Sequence, residues 1–212
     1  LSGFVSFKVK GEKGQQITIK HAETLDKDGN FYPDTLRQAT SHDVYVLNGE
    51  LQTLCPHFTF HGFRYIAIEG LDNIVKEDFV ACVMHTDMQQ TGTFACSHAG
   101  INQLQSNIEW GQRGNFLDIP TDCPQRDERL GWTGDAQIFS NTAMFNFQSQ
   151  RFFQKWLRDL ASEQTVEHGV PHVVPNILGN QHGAAARSDA ATIIPCNLYL
   201  NYGDKTDLEQ QH

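Results

Sequence analysis

Up to about residue 92, apolar and polar residues alternate in short runs that are separated by turn residues. This period of two predicts β-strands. The predicted strands are Phe4–Val9, Gln16–Lys20, Asp43–Leu47, Phe58–Phe60, Arg64–Ile68 and Phe79–Met84. Gly11 and Gly14 separate the first two, which predicts a hairpin between them. Several short strands divided by turns favour an antiparallel β-sandwich over a βαβ unit.

From about residue 97 onward the apolar residues recur with helical spacing, as in Ile101, Leu104 and Ile108. Five helices are predicted, beginning after a Ser97 cap, at Thr133 or Asp135, near Phe152, at Pro195 and after Asp204. The third has the widest apolar stripe, which indicates core packing. A long irregular segment, Thr165–Asp189, precedes the fourth helix, and such segments are usually functional or disordered.

These patterns predict two domains, a β domain over residues 1–92 and a helical domain over residues 93–212. Each predicted helix has an apolar face, and the helices are too few to cover all of these faces. The chain also stops inside the last predicted helix. We therefore expect the remainder of a larger protein, or a partner chain, to cover them.

Composition excludes several classes of protein. Hydrophobic residues make up 39% of the 212 residues, which is enough for a folded core. A net charge of -9 argues against a nucleic-acid or anionic-membrane partner, and no apolar run is long enough to span a membrane. The five cysteines include no CxxC pair, so reduced thiols are favoured over a zinc cluster or disulfide framework. The compartment stays open, because the chain begins with Leu1.

Two segments of the β domain suggest metal ligands, but neither is complete. Asp26–Asn30 resembles part of a calcium loop; its glycine comes too early and the twelfth position has no glutamate, so a turn is the better interpretation. His57 and His61 are predicted to share one face of a strand, and no third ligand accompanies them. We therefore predict no metal site.

The stretch Asp118–Asp135 contains five acidic residues, two arginines and a tryptophan. Prolines and glycines prevent a continuous helix here, and polar loops between helices often carry chemistry. Glycoside hydrolysis uses two carboxyl groups on opposite sides of the sugar. The candidate carboxylates are Asp122, Asp127, Glu128 and Asp135; Asp118 lies earlier in the stretch and could equally be structural. Composition alone leaves three alternatives open, namely an inert salt-bridged loop, a divalent-metal site and a Cys123 nucleophile.

The fourteen residues DCPQRDERLGWTGD, at Asp122–Asp135, resemble the signature of bacterial α-L-rhamnosidases, glycoside hydrolase family 78. Upstream, HAETLDKDGN and FTFHGFRY are similar to the β-sandwich of that family; downstream, GVPHVVP and SDAATIIP are similar to its helical barrel. The resemblance implies an antiparallel β-sandwich followed by an incomplete (α/α)6 barrel, the six-hairpin fold. It also implies hydrolysis of terminal α-L-rhamnose with inversion and without a cofactor.

By position, the resemblance makes Glu128 the general acid. It places Asp122 and Asp135 among the residues that hold the rhamnose or tune the acid, and Trp132 among the pocket aromatics. Arg126, Asp127 and Asp189 match further positions at or near the pocket. The family's general base, a glutamate, is expected beyond residue 212. We therefore expect these 212 residues alone to hydrolyse little or nothing.

Two residues depart from the family pattern. Arg187 stands where the family commonly has a tryptophan, and Cys196 stands where it commonly has an aromatic residue. If the resemblance holds at the pocket, we expect the first change to remove one stacking wall and to alter or abolish sugar binding there. Two alternatives therefore remain beside the enzyme, a carbohydrate-binding relative without turnover and the same fold with another sugar specificity.

Overall fold

The computed structural model describes residues 1–167, 169–179 and 182–210. They form two compact units. Unit 1 comprises Leu1–His85 and Pro124–Glu128, and unit 2 comprises Thr86–Cys123 and Arg129–His212. Within the described ranges, no helix has the length and apolar character needed to cross a membrane. The predicted domain boundary after residue 92 stays a prediction.

Unit 1 is built from antiparallel strands, as the alternation predicts. The strands are β1 Ser2–Val9, β2 Gln16–Ala22, β3 Thr24–Leu25, β4 Phe31–Tyr32, β5 His42–Val46, β6 Gln52–Leu54, β7 His61–Gly62, β8 Tyr65–Glu69 and β9 Phe79–Val83. β1 pairs with β6, β7 and β9 in one sheet, and β2 lies between β5 and β8 in another. Alternate residues of β1 and β2, such as Phe7 and Ile17, are buried in one shared core. The antiparallel fold expected for this part of the chain is thereby confirmed.

The predicted hairpin between β1 and β2 is wrong. The two strands belong to different sheets, because each buries its apolar face against the shared core from its own side. The predicted strand Phe58–Phe60 is also wrong: Phe58 has a φ of 59°, outside the extended region, and its side chain is fully exposed. His57 and His61 therefore do not share a strand face.

The turn predicted at Asp26–Asn30 is confirmed. One carboxylate oxygen of Asp26 accepts hydrogen bonds from the backbone N–H groups of Asp28 and Asn30, at 2.9 and 2.8 Å. The turn joins the paired strands β3 and β4. An aspartate that bonds to its own following backbone is the common way to close such a turn.

Unit 2 contains the helices. Its elements are α1 Ala99–Asn115, β10 Phe116–Leu117, β11 Ile119–Pro120, α2 Thr133–Asn146, α3 Gln150–Glu163, α4 Ala190–Tyr202 and α5 Thr206–Gln210. The apolar stripe of α3 is buried as predicted, with Phe153, Trp156 and Leu160 in the core beside residues of α2 and α4. Between α3 and α4 the described residues form only isolated bridges, consistent with the predicted irregular segment. Residues 168, 180 and 181 of that segment, and residues 211 and 212 of the predicted fifth helix, lie outside the described residues.

Two predicted helix starts are wrong. The cap of α1 is His98 rather than Ser97, and the ring of His98 accepts the N–H of Ile101. α4 begins at Ala190, so Pro195 lies inside it. Ala190 and Ile194 are fully buried, and their burial offsets the hydrogen bond that Pro195 cannot make.

The apolar face predicted for α1 is largely open to solvent. Ile101 and Leu104 are 46% and 56% exposed. The described residues therefore leave this face uncovered, and its coverage by further protein stays a prediction.

His21 and His61 form a buried stacked pair in unit 1. Their ring centroids lie 4.1 Å apart, and His21 is only 1% exposed. His21 Nδ1 lies 3.3 Å from the Ser41 carbonyl oxygen, and His61 Nε2 lies 3.0 Å from an Asp43 carboxylate oxygen. Burial and, to a smaller extent, the neighbouring His61 lower the pKa of His21 to about 4, while Asp43 opposes the shift.

We expect the free energy of unfolding of unit 1 to fall as the pH is lowered from about 6.5 to about 4. Within this window the unfolded chain protonates His21 and the folded chain does not, so acid favours unfolding; above it the full stability is retained. The expected loss is about 3 kcal/mol. Hydrogen exchange of the β1 and β2 amides, followed by mass spectrometry, measures it.

The matched variants for this test are His21→Gln and His57→Gln. The first removes the buried titrating group and should flatten the pH dependence. The second removes an exposed histidine of the same unit that does not contribute to the pKa shift of His21, and it should leave the pH dependence unchanged. The same pH dependence in wild type and His21→Gln would contradict the prediction.

Candidate active site

The acidic motif is divided between the two units. Pro124–Glu128 belongs to unit 1, whereas Asp122, Trp132 and Asp135 belong to unit 2. Asp189 also lies in unit 2, where it immediately precedes α4.

In unit 1, the carboxylate of Glu128 is held by two arginines. Arg126 Nη2 lies 2.8 Å and Arg37 Nη1 lies 3.0 Å from the same oxygen, Oε2. Arg37 Nη1 is also 4.0 Å from an Asp127 carboxylate oxygen. The Glu128 side chain remains 30% exposed, so it is fixed in orientation and still open to a ligand. A fixed, accessible carboxyl group of this kind can transfer a proton.

Strand β7 supports the segment that carries Glu128. A Cβ atom added to Gly62 would lie 2.8 Å from the Cβ of Gln125 and 2.9 Å from its backbone nitrogen. Because no side chain fits between them, the glycine permits the backbone of Pro124–Glu128 to pack directly on β7.

Arg37 was not identified by the sequence analysis as a contact of Glu128, the predicted general acid. It follows the 3₁₀ turn Asp34–Leu36 in the connection between β4 and β5, far from the motif in sequence. No local pattern marks it. Only the fold brings it within hydrogen-bonding distance of Glu128.

In unit 2, Asp122 closes the ends of the motif loop. Its Oδ1 accepts the backbone N–H of Leu130 at 3.0 Å, and its own N–H donates to the Leu130 carbonyl at 3.2 Å. Asp122 and Asp135 both line a cavity of about 320 Å³ whose other walls include Phe116 and Phe139. Asp135 lies in the first turn of α2, where the helix dipole favours a negative charge. Carboxylates in such a cavity can accept hydrogen bonds from hydroxyl groups.

Trp132 is positioned by backbone pairing with the segment that follows α3. It forms an isolated antiparallel bridge with Val173, and the flanking hydrogen bonds are Thr133 N–H to His172 O at 3.0 Å and Val174 N–H to Gly131 O at 2.9 Å. The buried hydroxyl of Thr133 also donates to the His172 carbonyl at 3.1 Å. The backbone of Trp132 is therefore fixed from both sides.

Arg187 covers one face of Trp132. Its guanidinium carbon lies 4.3 Å from the centroid of the Trp132 ring, which is a close cation–π contact. Asp189 holds the loop that carries Arg187, because its Oδ2 accepts the N–H of Ala186 at 3.1 Å. The Arg187 guanidinium therefore lies on Trp132, the aromatic residue that the family resemblance assigns to the sugar pocket.

Two other candidate residues, Asp118 and Cys123, have contacts or burial that are typical of structural residues. Asp118 is exposed and its carboxylate pairs with Lys155 at 3.2 Å, as expected for a surface ion pair. Cys123 is buried, and all five cysteines are free thiols. A buried thiol of this kind is ordinarily inert.

His21, Asp43 and His61 in unit 1 each offer one ligand atom, and these atoms all lie within 4.8 Å of one another. A metal ion lies in the plane of each imidazole that binds it. The two rings are stacked with an interplanar angle of only 17°, so their lone pairs do not converge. Hydrogen bonds to Ser41 and Asp43 account better for this arrangement.

Family comparisons cover nearly the whole chain. Residues 1–85 match the bacterial alpha-L-rhamnosidase concanavalin-like domain, and residues 89–212 match the bacterial alpha-L-rhamnosidase 6 hairpin glycosidase domain. An alpha-L-rhamnosidase of Formosa agariphila is 43% identical over 99% of this chain and 23% of its own length. One of Streptomyces avermitilis is 43% identical over 96% of this chain and 20% of its own length.

Solved structures agree with these matches. The chain is similar to the crystal structure of Streptomyces avermitilis alpha-L-rhamnosidase complexed with L-rhamnose, with a TM-score of 0.96 and 42% identity over 100% of this chain and 21% of the other. It is also similar to the Aspergillus terreus enzyme, with a TM-score of 0.94 and 44% identity over 100% of this chain and 25% of the other. The chain thus spans between about a fifth and a quarter of the relatives that it matches.

We expect Gly131→Ala to destabilise unit 2 and to displace Trp132. A Cβ atom at Gly131 would lie 2.1 Å from the Val174 carbonyl oxygen, a backbone atom that cannot move aside cheaply. Destabilisation should exceed about 2 kcal/mol, in the range for severe steric conflict. Urea unfolding followed by tryptophan fluorescence measures it, since Trp110, Trp132 and Trp156 all lie in unit 2.

The control is the same substitution at Gly111, where an added Cβ meets no atom within 4 Å. Gly111 lies in α1, so alanine should leave stability unchanged or raise it by up to about 1 kcal/mol. Equal effects of the two substitutions would show that the contact between Gly131 and Val174 is unimportant.

Proposed function

The chain belongs to the bacterial α-L-rhamnosidase family, and from this premise we propose that the protein containing it is an inverting glycoside hydrolase. Its proposed substrates are glycosides and oligosaccharides that carry terminal α-L-rhamnose. The observation that carries the proposal is the Glu128 carboxylate, held through one oxygen by Arg126 and Arg37 and still accessible. In the proposed reaction Glu128 protonates the glycosidic oxygen as the bond to the sugar breaks. A glutamate outside these 212 residues activates the attacking water.

The remaining motif residues are proposed to bind the sugar. Asp122 and Asp135 accept hydrogen bonds from its hydroxyl groups, which the cavity that they line supports. Trp132 offers an apolar surface to the ring. Arg126 and Asp127 orient the acid or the substrate, and the proposed role of Asp189 is to fix the loop beside the pocket. No cofactor is part of this proposal.

One observation favours a second candidate, a carbohydrate-binding relative with weak or no turnover. Arg187 occupies one face of Trp132. A sugar that stacks on that face must displace the guanidinium. The same contact is compatible with the same fold acting on a different sugar.

We expect Glu128→Gln to reduce hydrolysis of an alkyl α-L-rhamnoside by about 10²–10⁴-fold, because the amide cannot supply the proton. A 2,4-dinitrophenyl α-L-rhamnoside, whose leaving group needs little protonation, should lose much less. Steady-state rates of the longest reading frame that contains these residues measure both. The 212 residues alone should hydrolyse neither substrate measurably.

The matched control is Asp118→Asn, which makes the same kind of change in an exposed surface ion pair and should leave both rates near wild type. Equal rates of wild type and Glu128→Gln on the alkyl rhamnoside would contradict the assignment of the acid. Rhamnose binding without hydrolysis by the wild type would favour the binding relative.

We expect Arg187→Ala to tighten the binding of L-rhamnose, because the ligand no longer displaces a cation from Trp132. A contact of this kind is worth about 0.5–1 kcal/mol at an exposed site, so the Kd should fall about two- to fivefold. Isothermal titration calorimetry measures the change. Arg113→Ala is the control, since Arg113 also stacks on aromatic rings in unit 2, those of Trp110 and Phe147. Weaker binding after Arg187→Ala would instead make Arg187 a ligand contact.

A further inference from the structure

The contacts of Glu128 differ between its two carboxylate oxygens. Arg126 and Arg37 both contact Oε2, at 2.8 and 3.0 Å. Among the residues that the structure describes, none donates a hydrogen bond to Oε1. One oxygen is therefore held and the other is available to a ligand.

We propose that Arg37, a residue of the β-sandwich unit, is a positioning residue for the general acid Glu128. By holding Oε2, it keeps Oε1 free to carry the proton and to deliver it to the glycosidic oxygen. This inference rests on the proposed function of Glu128. It adds to that function a residue outside the acidic motif, from an element some ninety positions earlier in the chain.

Electrostatics supports a role in the proton transfer itself. When Oε1 gives up its proton, Glu128 becomes a carboxylate, and the guanidinium groups of Arg37 and Arg126 are already in place beside it. Preorganised charges of this kind stabilise a charge that develops during the reaction without having to reorganise. Arg37 also lies 4.0 Å from Asp127, so it limits the repulsion between two adjacent acidic residues.

The backbone holds Arg37 in an uncommon conformation. Its φ is 57° and its ψ is -116°, a region that residues with a side chain rarely occupy. The preceding Leu36 is buried, and the N–H of Arg37 donates to the Asp34 carbonyl at 3.2 Å. Such conformations persist only where the surrounding structure imposes them, and they concentrate at functional sites.

A purely structural role for the side chain is less consistent with its exposure. The Arg37 side chain is 54% exposed, and ion pairs at that exposure contribute little to stability. Removing it should therefore leave the fold intact. This permits a test in which activity and stability separate.

The test compares Arg37→Gly and Arg37→Lys in the longest reading frame that contains the chain, with alkyl and 2,4-dinitrophenyl α-L-rhamnosides as substrates. Glycine removes the guanidinium and suits the positive φ, so unfolding by urea should be unchanged or slightly more difficult. In Arg37→Gly we expect kcat for the alkyl substrate to fall about 10- to 100-fold, with little change in KM. We expect kcat for the dinitrophenyl substrate to fall much less. Arg37→Lys keeps the charge and should recover part of the alkyl activity.

Arg64→Ala is the control, because Arg64 is an exposed arginine of the same unit that contacts Tyr65 rather than the acid. It should leave both rates unchanged. Equal losses on the two substrates in Arg37→Gly, or no loss on either, would overturn the positioning role.

The outcomes also separate this inference from the proposed function. Suppose that Glu128→Gln loses much more activity on the alkyl rhamnoside than on the dinitrophenyl rhamnoside, and that Arg37→Gly shows no such difference. Only the proposed role of Arg37 is then wrong. If wild type hydrolyses neither rhamnoside, or Glu128→Gln is as active as wild type, the proposed function fails and the role of Arg37 fails with it.

Discussion

The site in unit 2 depends on the close approach of two backbones at Gly131 and Val174. The Val174 carbonyl accepts the indole N–H of Trp156 at 3.2 Å, and Trp156 is fully buried in the core around α3. The Val174 N–H in turn donates to Gly131, whose missing side chain lets the two strands of backbone meet. Because buried backbone groups must be paired, this ladder connects Trp132 to the packing of the helical core. The backbone that carries this aromatic ring is therefore anchored to the core.

The two units contribute different physical environments. In unit 1, the motif residues form a compact set of opposite charges, with Arg37 and Arg126 facing Asp127 and Glu128. In unit 2, two carboxylates line a cavity that also has aromatic walls. The first environment fixes the orientation of a carboxyl group, and the second suits a ligand with both hydroxyl groups and apolar faces. One short motif supplies residues to both.

Features set by neighbouring residues could be predicted from the sequence, and features set by distant contacts could not. The stripe of α3 and the alternation of β1 and β2 identified their elements correctly, because burial on one face is a local pattern. Strand pairing was predicted wrongly for β1 and β2, since adjacency in sequence does not decide which sheet a strand joins. Phe58–Phe60 alternates like a strand, yet a positive φ at Phe58 excludes it. Pro195 illustrates that burial can outweigh local preference.

At the candidate active site, too, local patterns could be predicted from the sequence and distant contacts could not. The acidic motif was visible as a dense run of chemistry, whereas its contact with Arg37 arises from the fold of the β4–β5 connection. The unusual residue at position 187 was also visible in the sequence, but its stacking on Trp132 was not. Chemistry-bearing residues can thus be listed from a sequence, while the partners that orient them require coordinates.

Pro124–Glu128 counts with the strands of unit 1, although it follows them by about forty residues in the chain. Recombination between relatives is usually planned by cutting a sequence at one boundary. Here a single crossover near residue 85 would separate Arg37 and Gly62 from the segment that they evolved to contact. A chimera that keeps these contacts would have to exchange residues 1–85 and 124–128 as one block, although they are separate in the sequence.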